Sequence, residues 1–79
     1  MNWREYISAD KNILAGKPVI TGTRLSVVFI LELLSSGWSE SDIMENYPSI
    51  KSEHLKAVYA FASECLKEDN YLELSLLEQ

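Results

Sequence analysis

Arg24 is the side chain with the clearest chemical reach in this chain. It closes the run Gly16-Lys17-Pro18-Val19-Ile20-Thr21-Gly22-Thr23-Arg24, in which a short apolar pair lies between two glycine-bearing corners. A guanidinium presents a planar fork of donors that fits a phosphate or a carboxylate. Two uses are open to it: an external anion, or an ion pair with an acid of the same domain that fixes the corner onto the following helix. The residues favour the internal pair. Gly16 and Gly22 read as turn glycines, because the P-loop order of glycines, lysine and hydroxyl ahead of a helix is absent. His54 and Cys65 are the only histidine and cysteine, eleven residues apart, and two ligands do not make a structural zinc site. No carboxylate pair, nucleophile–base arrangement or metal cluster is identifiable. The expectation is a protein without catalysis and without a cofactor.

Charge narrows the partners. The 79 residues carry a formal net charge of −5, unevenly spread. Up to Leu25 the bases Arg4, Lys11, Lys17 and Arg24 outnumber Glu5 and Asp10; beyond it Lys51, Lys56 and Lys67 face ten acids. A nucleic-acid binder displays basic surface to neutralise phosphates. Here the N-terminal third alone could do so, which makes Lys11, Lys17 and Arg24 candidate DNA contacts. No segment approaches the roughly 20 apolar residues that span a bilayer, and Met1-Asn2-Trp3-Arg4-Glu5 lacks the apolar stretch of a signal peptide. The expected location is cytoplasmic, with no membrane partner.

The elements that position these groups follow from local signals. Tyr6-Ile7, Ile13-Leu14 and Val19-Ile20 read as two or three short β-segments, with Pro18 at a strand start or on an edge. A first helix begins at the cap Ser26, with Leu25 and Ile30 spaced as a hydrophobic staple, and stops at Gly37. Trp38-Ser39-Glu40-Ser41-Asp42-Ile43 repeats that grammar for a second helix, which must end before Pro48 because Tyr47 is pushed out of the helical region. A third helix starts with Ser52 as cap, and Leu55, Val58, Tyr59, Ala62 and Leu66 should face the core. The chain therefore divides into one domain over 1–69 and a tail over 70–79. The fold class is α+β, mostly α.

Two surfaces carry more apolar area than one small core needs. Val27, Ile30, Leu31 and Leu34 can form one buried stripe of helix one, which leaves Phe29 and Leu33 on another face. A chain of this length commands little core, so Phe29 and Leu33 together with Val19 and Ile20 are expected to form a homo-oligomer interface, dimeric or higher. The tail adds Tyr71, Leu72, Leu74, Leu76 and Leu77. It either continues helix three onto its own core or serves as an arm that orders on a partner.

The block Ala15 to Arg24 resembles the Gly-Lys-Pro-Val-Ile-x-Gly-Thr-Arg signature of the small bacterial proteins catalogued as domain of unknown function 433. Leu34 to Ile43 and Tyr47-Pro48 resemble that family's Gly-x-Ser-x-x-x-Ile and Tyr-Pro segments. The similarity covers roughly residues 6 to 62. Lys11 stands where the family often has proline, Ala15 where it often has glycine, and Leu25-Ser26 where it often has Ile-Pro. The resemblance implies a helix-turn-helix-like bundle with a winged-helix or homeodomain flavour. It also implies a type II antitoxin that binds and neutralises a PIN-like ribonuclease toxin. The alternative is a dimeric DNA-binding transcriptional (auto)repressor. In a helix-turn-helix the third helix would read DNA, through Lys51, His54 and Lys56 among others. It is a poor reader: Glu53 repels phosphate, and the Arg, Asn and Gln of the best base contacts are missing.

Overall fold

The computed structural model describes residues 1–69. Asn2 caps a single 3₁₀ turn over Trp3–Glu5. Strand β1 (Ile7–Ser8) follows and pairs antiparallel with β2 (Val19–Ile20), Ile7 opposite Ile20 and Ser8 opposite Val19. A second backbone partner closes on β2 from the other side. The Ile20 N–H donates to the Leu25 carbonyl and the Val27 N–H to the Pro18 carbonyl, at 2.9 and 3.0 Å, around a bridge between Val19 and Ser26. Pro18 thus starts the strand, where its missing N–H is not needed and its carbonyl is used.

The expected segment at Ile13-Leu14 is not a strand. Asp10 nucleates a tight turn there, its Oδ1 accepting from the Asn12 N–H at 2.8 Å and its carbonyl from the Ile13 N–H at 2.8 Å. Leu14 and Ala15 then take φ of +49° and +57°, the left-handed region, within the 3₁₀ turn Leu14–Gly16. Asx turns of this kind compete with ladder pairing, which is why two apolar residues here did not make a strand.

Helix α1 (Val27–Ser35) opens on Ser26, whose Oγ accepts from the Phe29 N–H at 3.0 Å. It closes with a Schellman pair: Trp38 N–H to the Leu33 carbonyl and Gly37 N–H to the Leu34 carbonyl, both 3.1 Å. Gly37 supplies the φ of +103° that this closure requires. Helix α2 (Glu40–Asn46) carries a complete capping box between Ser39 and Asp42, and ends at Tyr47 ahead of Pro48. Both boundaries lie where the sequence signals them.

Helix α3 (Ser52–Asp69) departs from expectation in two ways. Lys51, not Ser52, holds the cap position, since its carbonyl receives the first helical N–H of Leu55. His54 takes the place of the usual acid three residues on, its Nδ1 accepting from the Lys51 N–H at 2.9 Å. The helix is also rotated. Leu55, Ala57 and Val58 are buried, and Phe61 packs on the core, whereas Tyr59 and Leu66 are exposed. The N-terminal turn causes this. Trp3 sits edge-on to Phe61 at 4.8 Å and donates from Nε1 to Glu64, which draws the Phe61–Glu64 side of α3 inward. The three helices and both strands close over Ile7, Ile20, Val27, Ile30, Ile43, Ile50, Leu55 and Val58.

Replacing Ala15 by glycine should stabilise the fold by up to about 1 kcal/mol, because an L side chain strains a left-handed backbone more than glycine's extra chain entropy offsets. A urea unfolding curve with a higher midpoint is the expected result; a lower midpoint would contradict the turn geometry. The Asp42 carboxyl lies below its ordinary value of 3.8, because the Ser39 backbone N–H and then the Ser39 hydroxyl bond its ionised form. A folded value below the unfolded one makes the bond's contribution to α2 complete above pH 3.8, and it fades as pH falls through the folded value. A side-chain carboxyl NMR titration should therefore place Asp42 below 3.8, and a midpoint above it would remove the capping box.

Candidate functional site

The corner from Thr21 to Arg24 is assembled from the backbone outward. Gly22 takes φ +84°. The Thr23 N–H donates to the Ile20 carbonyl at 3.0 Å, and the Thr23 hydroxyl donates to the same oxygen at 2.7 Å while accepting from the Leu25 N–H at 3.0 Å. One hydroxyl thus bolts both arms of the corner. Val19 and Ile20 are 1% and 0% exposed. They are core residues of their own chain, which corrects their assignment to a subunit interface: side chains this covered have no surface to offer.

Arg24 is left over from this construction. It is exposed and makes no ion pair among the described residues, where Arg4 and Glu64, 3.8 Å apart, form the single pair. Among the described residues the expected internal ion pair of Arg24 is not formed, and the hydroxyl of Thr23 fixes the corner. Lys11 and Lys17 are exposed on the same N-terminal part. All three cations are exposed, and none has an ion-pair partner among the described residues.

On α1, Phe29 and Leu33 are half-buried and pack against the core. Phe29 meets the Tyr47 ring edge-on at 5.9 Å. The apolar residue of α1 that water reaches most is Val28, at 53%. A helix apolar all round gives no periodicity from which that rotation could be read.

The start of α3 is the place where a helix-turn-helix would meet DNA. Lys51 and Lys56 are exposed. His54 is half-buried, with its Nδ1 engaged at the cap and its ring 5.5 Å from Tyr6 at 81°, so it is a structural residue rather than a free surface group. Further along, the exposed Tyr59 donates from Oη to Glu40 Oε2 at 3.0 Å. Burial first, and then the Glu40 carboxylate, push the Tyr59 phenol above its usual range. This link between α2 and α3 had no sequence signal, because it spans 19 positions. Its effect is to lay a carboxylate beside the exposed Tyr59 of α3. Tyr71, Leu72, Leu74, Leu76 and Leu77, the candidate toxin contacts, lie outside the described residues.

Among the described residues no group of three His, Cys, Asp or Glu is placed to hold a metal ion, and no helix is long and apolar enough to cross a membrane. No solved structure matches the chain. The uncharacterized protein y4eO of Sinorhizobium fredii (strain NBRC 101917 / NGR234) is 32% identical over 62 residues, which are 76% of this chain and 28% of that protein. The chain thus spans little more than a quarter of that relative's length. The family profile described as Protein of unknown function (DUF433) matches residues 7–62. That stretch holds both strands, the braced corner, α1, α2 and the first half of α3, and the chain belongs to the DUF433 family.

Proposed function

We propose that this protein acts without catalysis as the antitoxin of a type II toxin–antitoxin pair, binding and masking a PIN-like ribonuclease. The observation that carries the reading is the outer face of α3. Where a DNA-reading helix offers Arg, Asn or Gln to base edges, this one presents Glu53 between Lys51 and Lys56, and a Tyr59 already bonded to Glu40. With two lysines against Glu53 and Glu40, such a face has no basic excess to offer a phosphate backbone. A nuclease site that gathers RNA has a basic rim, which an acidic segment can occupy. The residues 71–77, with four leucines, a tyrosine and Glu73, have the composition for that role.

A second reading draws on a different observation. Lys11, Lys17 and Arg24 are exposed and unpaired among the described residues. In a dimer they would form two basic patches, suited to the phosphates of operator DNA in a repressor. The two readings separate in one pair of assays. Removing residues 70–79 should weaken inhibition of the co-expressed neighbouring ribonuclease by at least about tenfold, the loss expected for several buried apolar anchors. Undiminished inhibition would end the arm model. A mobility-shift titration with operator DNA at several salt concentrations should show no steep salt dependence; a steep one would favour the repressor.

A further inference from the structure

A notch opens at the corner between α1 and α2, lined by Ser36, Gly37, Trp38, Asp42 and Asn46. The hydrogen bonds of its polar groups all turn the same way. Ser36 Oγ donates its proton to the Glu32 carbonyl at 2.8 Å and can accept from outside. Asn46 turns its Nδ2 inward to the Asp42 carbonyl at 2.8 Å, leaving Oδ1 to accept. Asp42 uses Oδ2 on the Ser39 N–H and keeps Oδ1 unused among the described residues. The Schellman closure occupies the Leu33 and Leu34 carbonyls, so those of Ser35 and Ser36 remain as the negative end of α1. Unused acceptors of Ser36, Asp42 and Asn46 thus line one opening, and among the described residues no cation is bonded to them. Between Arg24 and Lys51 the sequence has no lysine, arginine or histidine, while Glu32, Glu40, Asp42 and Glu45 all fall in that interval.

We propose that this notch receives an arginine side chain presented by a protein partner. Several acceptors around one small opening match the fan of donors on a guanidinium better than the point charge of an ammonium. Trp38 forms one wall, and arginine is the cation most often found against an indole. The occupant comes from outside, because α1 and α2 carry no basic side chain and no described cation of the other elements is bonded at the notch. The inference does not depend on the partner's being a toxin: it names the chemistry of the contact, and the antitoxin reading can fail while the notch stands.

The test is an NMR titration of the full chain with N-acetyl-arginine-N-methylamide, beside the lysine and glycine counterparts. Saturable shifts should centre on the Gly37 amide, the Trp38 indole N–H and the Asn46 side-chain amide. Arginine should bind more tightly than lysine, and glycine should not saturate. Asp42→Asn should weaken arginine binding by about fivefold, as loss of one charge-assisted partner implies. Because that change also touches the cap of α2, Asn46→Lys serves as the second variant. It plants a cation in the notch and leaves the Ser39–Asp42 capping box in place, giving up only its own bond to the Asp42 carbonyl, and should abolish saturation. Shifts that fail to saturate, that centre on Glu53, or that persist in Asn46→Lys would overturn the proposal. So would concentration-dependent shifts at the notch that appear without ligand and vanish in Arg24→Ala, since they would assign the arginine to a second copy.

Discussion

Val19 and Ile20 are gripped by backbone on both sides, β1 along one edge and Leu25 to Val27 along the other. Two residues cannot make a stable sheet alone, so the strands owe their persistence to what they bracket. Ile20 is fully buried, and Ile7 and Val27 flank it in the same core as Ile30, Ile43 and Val58. The bracket also sets where α1 begins. The Val27 N–H, one of the donors that a helix start leaves unpartnered, is taken up by the Pro18 carbonyl. Entry to α1, closure of the corner and burial of the strands are therefore one cooperative event.

Within the motif, labour is divided between residues that build and a residue that reaches out. Pro18, Gly22 and Thr23 each have a backbone reason to be what they are: a strand start without N–H, a left-handed turn, and a hydroxyl that serves two arms. Lys17 and Arg24 have none among the described residues. The brace fixes the backbone from which Arg24 projects, while its exposed side chain is held by no bond among the described residues. The rest of the molecule carries the opposite sign, with Glu40 and Glu53 on the α2–α3 side and Asp42 at the notch.

What could be read from the sequence was local. Ser26, Gly37, the Ser39–Asp42 box and Pro48 fix helix boundaries through bonds within four residues of themselves, and those boundaries stand. What could not be read depends on distant partners. The Asp10 turn took Leu14 and Ala15 into left-handed geometry instead of a strand. Trp3 reaches Glu64 across 61 positions and turns α3 so that Tyr59 and Leu66 face water. Val19 and Ile20 looked like surplus apolar surface because two residues give no period, and only the second backbone partner shows them to be core. The charge of the site was legible; which cations were already engaged was not.

The division between brace and free cation is decided by comparing two neighbouring substitutions in one denaturation experiment. Thr23→Val keeps the shape and removes the hydroxyl that bonds Ile20 and Leu25, and should lower unfolding stability by about 1–3 kcal/mol. Arg24→Ala should stay within about 0.5 kcal/mol of the parent, as an exposed and unpaired side chain does. The reverse order, with Arg24→Ala the more damaging, would contradict the account by showing that the guanidinium holds the corner together.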